Sequence, residues 1–186
     1  MRKPELSFSH VGLFVRDIAR MADFYTRLLG FSVSDRGQMG KTSFVFLTRD
    51  PREHHQIVLA SGRPEELAFN AINQISFRVP GLEELRQYWP WLVKQNVPKL
   101  DPRNHGNAWS IYFADPEGNR VELYCGTPWH VSQPFGEPLD LTKSADAIRA
   151  ETESMVKKDP TCLPVEVFSA QLKKKMAQAQ PEKVPA

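Results

Sequence analysis

An offset of 64 residues carries His10 onto Gln74, Phe24 onto Tyr88, Tyr25 onto Trp89, Leu28 onto Leu92, Ile57 onto Val121 and Leu59 onto Leu123. A repeat at one fixed spacing restricts the fold more than any local propensity, because both copies must make the same supersecondary unit. In the first copy LSFSHVGLFV reads as a strand near residues 6 to 15. Asp17 is placed to cap a helix whose apolar residues Met21, Phe24, Tyr25, Leu28 and Leu29 recur at helical spacing up to Gly30. FSVSDRG, TSFVFLTR and HQIVLAS follow as strands, separated by Gly37, Gly40 and the RDPRE turn. In the second copy AINQISFRV predicts a strand, Leu82 to Gln95 a helix, and VPKLD, AWSIYFA and NRVELYC three further strands. One βαβββ unit of this length cannot easily bury its sheet alone. The expectation is therefore an α+β fold: two tandem βαβββ modules, 6–61 and 71–126, forming one cleft-bearing mixed sheet in a single domain over 1–126.

Beyond Gly126 the Pro-rich run TPWHVSQPFGEPLD leads into a C-terminal helical tail, 127–186. Ile148, Thr152 and Met155 form one stripe, and Phe168, Leu172 and Met176 form another between Pro164 and Pro181. Both stripes are expected to dock, on their own sheet or on a neighbouring subunit, and the last half-dozen residues to be disordered. Composition narrows the partners. Twenty-four Lys plus Arg against twenty-two Asp plus Glu leave a net charge of +2, too small a field to favour nucleic acid. Two cysteines, Cys125 and Cys162, make neither a disulfide framework nor a thiolate metal site. No run approaches the ~20 apolar residues of a membrane span, and MRKPELSFSH lacks the apolar region of a signal peptide. These features predict a cytoplasmic protein with neither nucleic acid nor membrane as partner, whose five histidines are its most versatile groups.

His10 lies in the first strand and Glu122 in the last strand of the second copy, and a pseudo-twofold relation would bring such strands toward one cleft. An imidazole and a carboxylate suit Fe(II), Mn(II), Zn(II) or Ni(II). Taken singly, a strand histidine is more often a packed core residue than a ligand. Glu122, between Val121 and Leu123, can point to solvent by alternation, so both readings stay open.

Residues 6 to about 126 resemble the vicinal oxygen chelate superfamily, which contains glyoxalase I, fosfomycin-resistance proteins, methylmalonyl-CoA epimerase and type I extradiol dioxygenases. The likeness is to the catechol and dihydroxybiphenyl dioxygenases, through HVGLFVRD, the histidine pair of PREHHQIVLA, and NHGNAWSIYFADPEGNRVELYCG. The resemblance implies His10 and Glu122 as metal ligands and His55 as the acid–base residue, with His54 facing away. It implies that His105 hydrogen-bonds a substrate hydroxyl and that Tyr112 contacts the substrate oxygen. The family's second metal-binding histidine falls on Gln74, so the implied triad is His10, Gln74 and Glu122. Fe(II) is the implied cofactor, with Mn(II), Ni(II) and Zn(II) as further candidates. The fourth ligand of glyoxalase I would fall on Val58, which cannot bind metal, leaving Gln56 as its only nearby substitute. The implied activity is a single-domain extradiol-type dioxygenase that opens a catechol-like ring, with a small aromatic diol and O2 as substrates and a homo-oligomer as a possible assembly. Two other readings stay open: a glyoxalase- or epimerase-like isomerase or lyase, and a non-catalytic binder of small molecules. Trp109, Phe113 and Trp129 are candidates to line a pocket for the ring, although each alone is more readily a core residue.

Overall fold

The computed structural model describes residues 7–67 and 69–178. The first copy of the repeat folds as β1 (Val11–Val15), α1 (Ile18–Asp23) running into a π-helical stretch (Phe24–Leu28), β2 (Ser32–Met39), β3 (Thr42–Thr48) and β4 (Ile57–Ser61). The second gives β5 (Ile75–Arg78), α2 (Leu82–Lys94), β6 (Asp101–Asn104), β7 (Ala108–Ala114) and β8 (Arg120–Gly126). Both copies build the same strand order. The first sheet runs β1-β4-β3-β2, and the second runs β5-β8-β7-β6 with β10 (Glu137–Pro138) added beyond β6. The α+β class and the tandem modules are as expected, but the strands divide into one sheet per module rather than one continuous sheet. In the first module the opening strand pairs in parallel with the last strand of the same module, Val11 opposite Ile57 and Leu13 opposite Leu59, so the ladder closes locally.

The chain divides into two compact units. One comprises 7–75 with 114–121, and the other comprises 76–113 with the segment from 122 onward. In the first unit Asp17 accepts from the Arg20 N–H at 2.9 Å and starts the helix, while Gly30, at φ 71°, ends it in a conformation that favours glycine. Met21, Tyr25 and Leu28 of the helix and Leu13, Val15, Val45, Leu47, Ile57 and Leu59 of the sheet are all buried and form the core of this unit. The opposite face of this sheet is open: Phe14 is 67% exposed, and every residue of β2 is exposed. Residues 114–121 close the unit. Tyr25 donates to Asp115 at 3.2 Å, and Glu117 accepts from the N–H groups of Arg16 at 2.6 Å and Asp17 at 2.9 Å. Burial, reinforced by the Asp115 charge, pushes the Tyr25 phenol well above its usual range, so it remains a hydrogen-bond donor.

In the second unit Ile111, Phe113 and Leu123 form the core with Leu85 and Leu92 of α2. VPKLD does not form the strand expected of it. Asn96 (φ 50°) and Lys99 (φ 60°) turn the backbone left-handed there, and extension begins only at Asp101. The tail adds β9 (Trp129–His130), α3 (Ala145–Val156), β11 (Leu163–Pro164) and α4 (Val165–Gln178). Ile148 and Thr152 are buried and Met155 is half-buried, with Val156 buried beside them, so the first tail stripe docks on the chain's own second module. The second stripe is largely open, with Leu172 and Met176 exposed, although the Phe168 ring stacks on His130 with centroids 3.6 Å apart. Pro181 and the last half-dozen residues lie outside the described residues.

A single buried hydroxyl fastens α3. Thr152 Oγ1 accepts from Asn104 Nδ2 at 2.8 Å and from Trp109 Nε1 at 2.9 Å, and donates to the Ile148 carbonyl at 2.7 Å. Thr152→Val keeps the shape and leaves two buried donors unsatisfied, at about 1–3 kcal/mol each. Urea unfolding should show a loss of about 2–4 kcal/mol, with Thr152→Ser losing less than half of that. A loss within about 0.5 kcal/mol, as at an ordinary surface position, would remove the hydroxyl from the tail's attachment.

Candidate functional site

The first module brings three histidines together. His10 stands immediately before β1 and is exposed, with Nδ1 3.2 Å from Ser9 Oγ. His55 comes from the connection between β3 and β4, and its ring meets that of His10 edge-on with centroids 4.3 Å apart. His54 turns toward His55 rather than away from it, the two Nδ1 atoms lying 2.9 Å apart. The local chain explains this. Gln56 donates its N–H to the Leu47 carbonyl at 2.8 Å and its Oε1 accepts from the Arg49 N–H at 2.9 Å, cinching the turn. Phe46 lies 5.5 Å from the His54 ring and 5.2 Å from His55, backing both. Because its amide oxygen holds this turn, Gln56 is poorly placed to serve as the extra metal ligand of a glyoxalase-type shell. Desolvation, and then the proximity of His10 and His54, lower the pKa of His55 and favour neutral imidazole, the form that accepts a proton.

The second module builds a separate dyad. His105, between β6 and β7, has Nε2 2.9 Å from the hydroxyl of Tyr112 on β7 and Nδ1 2.6 Å from the Phe135 carbonyl in the tail. Tyr112 is buried and His105 half-buried. Glu122 on β8 is only 7% exposed, so alternation does not send it to solvent, and its carboxylate accepts a short hydrogen bond from Ser76 Oγ. Gln74 is half-buried, one residue before β5. His10, His54, His55 and Gln74 belong to one compact unit, and His105, Tyr112 and Glu122 to the other.

Imidazole nitrogen, amide oxygen and carboxylate form a mixed N/O set without thiolate, whose chemistry fits a divalent cation. Among the described residues no three His, Cys, Asp or Glu side chains gather closely enough to share a metal.

Residues 7–123 match the family description "Glyoxalase/Bleomycin resistance protein/Dioxygenase superfamily". The chain belongs to this superfamily. Its relatives there include biphenyl-2,3-diol 1,2-dioxygenase 2 of Rhodococcus globerulus, 25% identical over 162 residues, a match covering 78% of this chain and 83% of that protein. Metallothiol transferase FosB of Staphylococcus epidermidis is 30% identical over 125 residues, covering 65% of this chain and 82% of the other. Among solved structures, the glyoxylase/bleomycin resistance protein/dioxygenase domain from Frankia sp. EAN1pec shares the fold, with a TM-score of 0.56 at 24% identity over 67% of this chain and 100% of that one.

Within this superfamily fold, two of the aromatic candidates for a pocket prove to be core. Trp109 is buried with its N–H on Thr152, and Phe113 is buried in the sheet. Two features escape the sequence. Ser110, fully buried and two residues from Tyr112 along β7, has no hydrogen-bond partner for its hydroxyl among the described residues. The tail reaches His105 from beyond the matched residues 7–123. Neither carries a periodic or compositional mark: Ser110 sits in an ordinary strand, and the tail contact is made by a backbone carbonyl.

Proposed function

We propose that this protein is an extradiol-type dioxygenase that opens a catechol-like ring with O2 at a mononuclear metal held by His10, Gln74 and Glu122. The observation that carries the reading is that four residues expected from the dioxygenase pattern form two contacting pairs, His10 with His55 and His105 with Tyr112. The likeness to a biphenyl-2,3-diol dioxygenase over most of both chains supports it. A bound divalent iron would supply the redox link between ring and dioxygen and the Lewis acidity toward the diol oxygens. His55, backed by Phe46 and favoured neutral, is suited to take a diol proton and return it during ring opening. His105 and Tyr112 orient the diol through hydrogen bonds.

A second reading, metal-assisted isomerisation or group transfer without O2, draws on the likeness to FosB and on Gln74, whose amide is a harder donor than imidazole. The two separate in one experiment. Protein reconstituted anaerobically with Fe(II) and given catechols should, once oxygen is admitted, consume it and release a coloured ring-fission product. Gln74→His should raise iron affinity, read by competition with a chelator, on the order of tenfold or more, the size of one ligand improvement. Turnover of a non-catechol substrate without oxygen uptake would replace the dioxygenase reading with the second one.

A further inference from the structure

Alternation along β5 and β8 separates the core side of the second sheet from its other face. Ile75, Val79, Val121, Leu123 and Cys125 are buried on the core side, and Ser76, Arg78, Glu122 and Tyr124 project from the opposite face. Hydrogen bonds join these four side chains as two cross-strand rows. Ser76 Oγ donates to the Glu122 carboxylate, and Arg78 donates from Nε at 3.3 Å and from Nη2 at 3.2 Å to the Tyr124 hydroxyl oxygen. The Val79 N–H, donating to the Tyr124 carbonyl at 2.8 Å, fixes the two strands at the second row. Two residues along a strand set the rows about 7 Å apart.

Arg78 is exposed and has no carboxylate partner among the described residues, whereas Arg103 of the same sheet has its Nε 2.8 Å from Asp101. Its guanidinium is nonetheless held. Tyr124 takes the Nε–Nη2 edge, and the guanidinium carbon lies 5.4 Å from the ring centroid, within reach of cation–π attraction. The Nη1–Nη2 edge remains, a fork of two parallel N–H groups that matches the two oxygens of a carboxylate. Because the Tyr124 oxygen accepts both arginine bonds, its own O–H is left as a third donor, with no acceptor among the described residues.

We propose that Arg78, oriented by Tyr124, is a specificity-determining subsite that takes the carboxylate of a ligand whose other end lies at Glu122. The inference rests on the dioxygenase reading for the ligand's ring and deepens it by naming the substrate class: a catechol carrying a carboxylate on the ring or on a short arm. The spacing of about 7 Å between the rows is close to the span of one substituted benzene ring. A single guanidinium compensates a monoanion, and Arg103 is already engaged with Asp101, so a phosphonate dianion would keep an uncompensated charge. Tyr124 is the positioning residue of the pair. An arginine already oriented loses less rotamer freedom on binding than one free in solvent. A neutral catechol leaves the fork to water, so it binds more weakly without being excluded.

The test compares 3,4-dihydroxybenzoate with the neutral 3,4-dihydroxybenzamide, which has nearly the same shape. Anaerobic calorimetry on the full chain reconstituted with Fe(II) should show the benzoate bound about tenfold more tightly, the worth of a charge-assisted bidentate contact discounted for exposure. The benzoate should also shift the Arg78 Nε–H resonance in nitrogen-15 NMR of the metal-free protein. Arg78→Gln should bring the two affinities together, Arg78→Lys should keep part of the preference, and Tyr124→Phe should reduce it severalfold with the charge still in place. Equal affinities in wild type, binding of neither ligand, a preference that survives Arg78→Gln, or an unmoved Nε–H resonance would each overturn the subsite. Tighter binding of 3,4-dihydroxyphenylphosphonate than of the benzoate would overturn the carboxylate assignment. A charge preference that follows Arg78 without oxygen uptake from any catechol would reject the dioxygenase reading alone. Ring cleavage of the amide with the same kcat/KM as the acid would reject this inference alone.

Discussion

Glu117→Ala is expected to lower the free energy of unfolding by about 3–5 kcal/mol, the range for removing one partner of a buried ion pair. The Glu117 side chain is 7% exposed and that of Arg63 6%, with Nη1 and Oε2 3.5 Å apart. The other carboxylate oxygen accepts from the N–H groups of Arg16 and Asp17, where β1 gives way to the first helix. Alanine leaves both amides without this acceptor and strands a guanidinium whose Nε already has no partner among the described residues. Among the described residues Arg63 would retain its bond to Asn70 Oδ1 and its backbone tie to Val15. Glu117→Gln, which keeps an oxygen for the two amides but not the charge, should lose about 2 kcal/mol. Denaturant titration of both variants separates the contributions. A loss below about 0.5 kcal/mol for alanine would mean that segment 114–121 is held to its unit by the Tyr25 to Asp115 contact and packing instead.

His55→Ala is expected to reduce turnover of a catechol by about 10²- to 10⁴-fold, the usual contribution of a positioned acid–base group. Metal content should be unchanged, because in the proposed arrangement His55 adjoins His10 and is not itself a ligand. Single-turnover kinetics with elemental analysis of the same preparation distinguish the two effects. Loss of metal in His55→Ala would make it a ligand and overturn the assignment of the triad. His54→Ala is the informative companion, since its Nδ1 lies 2.9 Å from that of His55. A loss there as large as at His55 would make the adjacent pair, rather than His55 alone, the acid–base unit.

Much of this fold is written in local spacing. The first helix is legible because Asp17 caps it, apolar residues recur every three or four positions, and Gly30 supplies the left-handed residue at its end. β7 reads directly from AWSIYFA, and both modules follow from the 64-residue offset. The strand expected of VPKLD is absent because Asn96 and Lys99 adopt positive φ, which their side chains permit but do not announce. The docking of the first tail stripe is visible as a pattern, whereas its partner is not. Trp109 and Asn104 precede Thr152 by more than forty residues, and nothing periodic links them.

The same division runs through the candidate site. His10, His55, Gln74, His105, Tyr112 and Glu122 are all marked by motif and repeat, since a residue type at a matching position is a property of the chain alone. Which atoms of these residues face one another is settled by folding. The turn cinched by Gln56 brings His54 onto His55, the sheet hides Glu122 from solvent, and a carbonyl thirty residues away meets Nδ1 of His105. Sequence determines chemistry that residue identity and short spacing can carry. Hydrogen-bond direction and burial depend on groups far apart in the chain, including backbone atoms common to every residue, and only the tertiary structure brings those together.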